Sequence, residues 1–258
     1  MNNPSSPIGV FDSGMGGISV LQQLLRVLPH EDMLYFGDGA NAPYGTKPTA
    51  VIRDLTERAA EHLLARGAKA IVLACNTATS AAAAALRERY PDLPVIGLEP
   101  ALKPAALSAA YPTVVVMATP LTLKEEKFAA LTRRFADKCR IIALPAPGLV
   151  PLVEAGRMGT DDARTYIEAL FAPYRDEGID CVVLGCTHFP FMKRDLRAVL
   201  GHTVRFYDGA EGAARQTRVL LDRAGLLNPK ETPGTICFEN SDETRLPLME
   251  RLLQYEID

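Results

Sequence analysis

Short runs of branched apolar residues alternate along the chain with longer stretches whose apolar positions recur at helical spacing. This alternation predicts βαβ units and a mainly parallel sheet, because strands covered on both faces read as continuous apolar runs. Strands are predicted at 8–11, 33–36, 70–74, 95–97, 113–117, 140–144, 180–184, 204–207 and 235–238. Helices fall between them. Residues 46–66 carry the helical period and stop at Gly67, residues 79–90 are Ala-rich and close at Pro91, and residues 160–177 open on Thr160-Asp161-Asp162 and stop at Gly178.

One segment of this pattern occurs twice. GAKAIVLACNT (67–77) and GIDCVVLGCTH (178–188) each pass from a Gly through a branched apolar run to a Cys, where polar residues begin. The second half therefore repeats the plan of the first, which predicts an α/β fold of two related units, each a mainly parallel sheet flanked by helices. The boundary is expected in GLEPALKP (97–104), where turn residues meet a new helix start. A return crossing near 207–209 gives residues 1–97 with 208–258 as one domain and 98–207 as the other.

Ligands of open parallel sheets bind beyond the carboxyl ends of strands, and four predicted strand ends carry polar chemistry. The first, Asp12-Ser13-Gly14-Met15-Gly16-Gly17, is glycine-rich, and Asp38 ends the next strand, where a dinucleotide's ribose would be read. Ser19 stands where the dinucleotide fingerprint needs its third Gly, Asp12 would repel pyrophosphate, and no Gly-Lys-Ser/Thr closes a phosphate loop. The alternative is a turn whose N–H groups and Ser13 hydroxyl receive a small carboxylate, leaving Asp12 to meet an ammonium group or a thiol. Pro43-Tyr44-Gly45 reads as a plain turn, or as a loop whose hydroxyl and N–H groups close over a carboxylate.

The other two strand ends hold Cys75-Asn76-Thr77 and Cys186-Thr187-His188. A free Cys is by default a small core hydrophobe, the reading adopted for Cys139, Cys181 and Cys237. Cys75 and Cys186 differ because each is followed by hydrogen-bonding residues and is predicted to precede a helix N-terminus, whose dipole favours thiolate. An unperturbed thiol, with a pKa of about 8.5, is only a few per cent ionised at neutral pH. Asp12, Glu154 and His188 are the candidate acid–base neighbours, although Glu154 alone reads as a solvated helix residue and His188 alone as a structural one. A strand-end Cys from each half is what a two-base reaction at one carbon needs.

Composition narrows the field. In 258 residues, 48% are hydrophobic and 23% charged, with a net charge of −3, as in an ordinary globular protein. Nothing in that balance draws nucleic acid or an anionic membrane. No apolar run approaches a membrane span, and MNNPSSP lacks the plan of a signal peptide, so a cytoplasmic location is predicted. Five scattered cysteines do not read as a disulfide framework, and without C-x-x-C or zinc-spaced histidines no metal site is expected.

DSGMGG (12–17), GD and PYG (37–38, 43–45), ACNTAT (74–79), PVIGLEPALKPA (94–105), LVPLVEAG (149–156) and GCTHFP (185–190) run in order over most of the chain. This combination resembles the glutamate racemase family. The resemblance implies two pseudo-symmetric domains with the active site in the cleft between them, no cofactor, glutamate as the small-molecule substrate, and D-glutamate supplied for peptidoglycan. A homodimer is the candidate assembly. It implies Cys75 and Cys186 as the two bases, acting on D- and L-glutamate respectively, with Asp12, Glu154 and His188 assisting. Substrate contacts are implied for Asp12, Ser13, Pro43, Tyr44, Gly45, Asn76, Thr77, Thr122, Thr187 and His188. The chain departs from the family where Ala118-Thr119-Pro120-Leu121-Thr122 replaces the commoner Gly-Thr-x-x-Thr, and the resemblance carries no motif onto FENSDETR (238–245). With seven residues before Ile8, the extension that some members use to bind an activator is expected to be lacking. The alternatives are an aspartate or related amino-acid racemase of the same superfamily, a non-catalytic small-ligand-binding protein and, disfavoured by Ser19, a nucleotide-dependent oxidoreductase.

Overall fold

The computed structural model describes residues 3–257. The chain forms two compact units, one of Met1–Leu98 with Ala210–Gln254 and the other of Glu99–Gly209 with Tyr255–Asp258.

The first unit is built on β1 (Ile8–Asp12), β2 (Met33–Gly37), β3 (Ala70–Leu73), β4 (Val95–Gly97) and a strand from the C-terminal segment, Ile236–Asn240. The five strands are ordered β4-β3-β1-β2 and then that last strand, all parallel. Every residue of IGVFD and AIVL is buried, as expected for central strands covered on both faces. The covers are α1 (Ile18–Val27), α2 (Thr49–Ala65) and α3 (Asn76–Arg89), with the helices Ala210–Arg223 and Leu246–Leu253 packed on α1. In α2 the buried Ile52, Leu55, Ala59, Ala60 and Leu63 recur at three- and four-residue spacing and form one apolar stripe.

The second unit carries β5 (Thr113–Ala118), β6 (Arg140–Pro145), β7 (Cys181–Leu184) and β8 (Arg205–Asp208), again all parallel, in the order β6-β5-β7-β8. The strand of the first unit at Ile236–Asn240 is accordingly β9. In the second unit Val114, Val116, Cys181 and Val183 pack with Leu102, Phe128 and Phe135 as one core.

Each predicted strand is present, with its ends moved by a residue or two. The helices shift more. The helix expected at 79–90 begins at Asn76, and Cys75 is its N-cap. The helix expected at 46–66 begins at Thr49, after a 3-10 turn at Tyr44–Thr46. The helix expected at 160–177 ends at Phe171. Cys139 and Cys181 are core residues, but Cys237, on the edge strand β9, is exposed.

Both sheets have the chain-order reversal that opens a crevice at strand ends. From β1 the chain goes to β2 on one side and then to β3 on the other; from β5 it goes to β6 and then to β7. Register places Phe11 beside Leu73, and Met117 beside Leu184. The segments leaving β1 and β3 therefore start together at the carboxyl end of the first sheet, and those leaving β5 and β7 at the carboxyl end of the second. These are the segments that hold Asp12-Ser13, Cys75, Thr119 and Cys186.

Candidate active site

In the first unit the chain leaves β3 at Ala74, whose N–H donates to Phe11 O at 2.7 Å, and this fixes Cys75 beside the turn after β1. Cys75 has extended backbone angles (φ −128°, ψ 121°) and caps α3, accepting the Ala78 N–H on its sulfur at 3.4 Å. Ser, Thr, Asp or Asn commonly takes this role. Here a sulfur sits at the positive end of a 14-residue helix, a setting complementary to a thiolate. The Cys75 thiol also points at Ser13 Oγ, 3.5 Å away. Asp12 is fully buried and accepts the Gly14 N–H at 2.9 Å on Oδ1.

Asn76 and Thr77 form the first turn of α3 and are 7% and 4% exposed. Asn76 Oδ1 is buried without a hydrogen-bond partner. Leaving such an acceptor unpaired costs about 1–3 kcal/mol, so its orientation calls for a ligand or a role.

Tyr44 is 1% exposed, with its ring 6.2 Å from that of Phe11. Its hydroxyl donates to Asp38 Oδ2 at 2.7 Å. Burial first, then the bond to Asp38, pushes the phenol pKa well up, so the hydroxyl keeps its proton. The tyrosine is thus an anchor beneath its loop, while Pro43 is exposed and Gly45 partly so. Asp38, considered in the sequence as a ribose-reading acid, instead accepts from Tyr44, Asn41 and Ser241.

In the second unit Cys186 follows β7, 9% exposed, with Thr187 at 5% and His188 at 3%. The segment after it is a 3-10 turn, Phe189–Met192, and the α-helix starts only at Lys193. The helical segment after Cys186 thus opens on a 3-10 turn rather than an α-helical one, and a chain of side-chain contacts stands beside the thiol. Cys186 Sγ lies 3.7 Å from His188 Nδ1, and His188 Nε2 lies 2.6 Å from Glu154 Oε1. Burial opposes charge on the imidazole, but the bonds to Cys186 and Glu154 outweigh it and raise the His188 pKa well above its ordinary value. Glu154, the last residue of the helix Leu149–Glu154, has a side chain only 11% exposed, so it is not a solvated helix residue.

Thr122 is buried in the helix Pro120–Lys124, whose N-cap is Thr119. The two hydroxyls lie 2.9 Å apart, and Thr119 Oγ1 accepts the Thr122 N–H at 3.3 Å. Thr119 was not singled out from the sequence, although Thr before Pro at a helix start is a recognisable capping signal. Among the described residues no three His, Cys, Asp or Glu side chains converge to hold a metal ion, and no helix is long and apolar enough to cross a membrane.

The structure thus gathers Asp12, Ser13, Cys75, Asn76 and Thr77 at the carboxyl ends of β1 and β3, and joins Glu154, His188 and Cys186 beyond β7, with Thr122 beyond the neighbouring β5, each group within its own unit. Residues 8–217 match the Asp/Glu/Hydantoin racemase family. The glutamate racemase of Bifidobacterium animalis subsp. lactis is 49% identical, the alignment covering 97% of this chain and 98% of that one. That of Ectopseudomonas mendocina is 46% identical over 98% and 96%. The crystal structure of Escherichia coli glutamate racemase in complex with L-glutamate and the activator UDP-MurNAc-ala superposes with a TM-score of 0.84 at 33% identity, covering 96% of this chain and 95% of that one. The chain belongs to the glutamate racemase family, a family of isomerases acting on amino acids.

Proposed function

We propose that this protein interconverts L- and D-glutamate in the cytoplasm without a cofactor, using the Cys75 and Cys186 thiols as opposed acid–base groups, and so supplies D-glutamate for peptidoglycan. The observation that carries the proposal is the matched position of the two cysteines: each leaves the strand next to its sheet's first strand, at the chain-order reversal, with its own hydrogen-bonding neighbour.

The α-proton of an amino acid is weakly acidic, so the developing negative charge must be stabilised where it forms. One thiolate takes the proton from one face while the opposed thiol delivers a proton to the other. Cys75 works from D-glutamate and Cys186 from L-glutamate. Donors at the start of α3 and in the Ser13 turn hold the carboxylate. The unpartnered Asn76 Oδ1 accepts from the substrate ammonium group. At the second thiol, the Glu154-backed imidazolium of His188 lies opposite the sulfur's negative charge and passes it a proton when Cys186 acts as acid. Thr122 and Thr187 supply further contacts. A glutamate racemase structure from Francisella tularensis at 29% identity contains D-glutamate, and the Escherichia coli one contains L-glutamate, which supports glutamate as the substrate.

The test is the optical rotation of L-glutamate with the purified protein alone. Decay to zero without pyridoxal phosphate supports the proposal. A strict need for that cofactor, or a flat trace with L-aspartate racemised instead, overturns it.

A further inference from the structure

The FENSDETR segment, which lies beyond residues 8–217, reaches the carboxyl end of the first sheet's strands. Where β9 ends, Asn240 and Ser241 turn back over the end of β2. Asn240 is 7% exposed, and its Oδ1 accepts the Gly39 N–H at 3.2 Å and the Asp242 N–H at 2.9 Å, while Nδ2 contacts Met249 Sδ at 3.3 Å. Ser241 Oγ donates to Asp38 Oδ1 at 2.7 Å and accepts the Ala40 N–H at 2.9 Å, and its own N–H donates to Gly37 O at 2.9 Å. The 37–40 backbone is therefore held almost residue by residue by a turn that lies about 200 residues away in sequence.

Two glycines show how tightly this turn is seated. A Cβ on Gly37 would fall 2.6 Å from Asn240 Nδ2 and 2.5 Å from Gly14 O, the carbonyl of the turn after β1. A Cβ on Gly39 would fall 2.6 Å from Asn240 Oδ1. The Asn240 amide thus occupies space that any side chain on either neighbour of Asp38 would take. Between the glycines, the buried Asp38 carboxylate accepts from three neutral donors, Tyr44 O–H, Asn41 Nδ2 and Ser241 O–H. A buried carboxylate held by neutral groups depends on each of them, and losing one re-aims the others.

We propose that the Asn240–Ser241 turn is a positioning element for the substrate loop Pro43-Tyr44-Gly45, acting through Asp38. The tyrosine ring is the peg of that loop and Asp38 is the socket; the turn fixes the socket, so the loop's backbone stands ready for the substrate carboxylate. The proposal rests on glutamate binding at this loop. Neither Asn240 nor Ser241 touches substrate, and the expected consequence is a change in binding rather than in proton transfer.

The experiment compares wild type with Ser241→Ala and Ser241→Thr, the latter keeping the hydroxyl. Ser241 is solvent-exposed, so its truncation leaves the core intact. Ser241→Ala is expected to raise KM for both enantiomers about three- to tenfold with kcat within twofold of wild type, since the lost bond is to a charged acceptor. Hydrogen exchange should quicken in residues 39–46 and be unchanged elsewhere, and Ser241→Thr should restore both values. An unchanged KM, a fall in kcat alone, or a lowered melting temperature with KM unchanged overturns the proposal. Inactive wild-type protein would remove the glutamate assignment instead, and the exchange measurement would still report whether the turn holds the loop.

Discussion

His188 Nε2 lies 2.6 Å from Glu154 Oε1, and this contact ties the end of the Leu149–Glu154 helix to the turn that carries Cys186. The two cysteines are therefore supported by different means. Cys75 has a helix N-terminus and a hydroxyl, whereas Cys186 has an imidazole backed by a carboxylate.

Glu154→Gln removes the charge that backs the imidazolium while keeping the side chain's shape. A hydrogen bond between charged groups contributes about 1.5–3 kcal/mol, so kcat/KM should fall about ten- to hundredfold. The fall must be equal in both directions, because the enantiomers have equal free energy. The specific signature is in D2O with D-glutamate: deuterium entering recovered D-glutamate should rise relative to inversion, since the Cys75 step still runs and the Cys186 step is slowed. An unchanged ratio would place Glu154 outside the Cys186 step.

Stability should depend on pH through His188. Its folded pKa lies well above the ordinary 6.5, so the stability it contributes is complete below about that pH and is lost as pH rises through the folded value. Chemical denaturation of wild type should show falling stability from near neutrality into the alkaline range, and Glu154→Gln should flatten that slope. Identical slopes in the two proteins would contradict a charged relay.

Asn76→Ala should separate stability from function. Asn76 Oδ1 is buried without a partner, so truncation removes an unsatisfied acceptor and the melting temperature should hold or rise slightly. Activity should fall at least about tenfold in kcat/KM as the ammonium contact is lost. A melting temperature several degrees lower, with activity intact, would mark Asn76 as purely structural.

The strands were readable because a parallel sheet covered on both faces needs continuous apolar runs, and Ile8–Asp12 or Cys181–Leu184 offer little else. The strand-end cysteines were readable because the apolar runs stop at them. The start of α3 was not, because Asn76 and Thr77 are poor helix formers and Cys75 is an unusual cap. Nor was the 3-10 opening of the helical segment after Cys186, where Pro190 permits a helical start and the chain takes the tighter path. Asp38 shows the larger limit. Its partners Tyr44 and Ser241 lie on different segments, and only tertiary structure turns a lone strand-end acid into the socket of a loop. The exposure of Cys237 is likewise a property of the tertiary structure, which composition does not reveal.

The most direct test of the central claim is α-proton exchange in D2O by the Cys75→Ala and Cys186→Ala proteins, with each enantiomer supplied separately and no cofactor added. Both variants should lose racemisation by about 10²–10⁴-fold, the range of a single acid–base group. Cys186→Ala should still label D-glutamate and Cys75→Ala should still label L-glutamate, each without inversion. Interconversion of the enantiomers at the wild-type rate by either variant would contradict the two-thiol account.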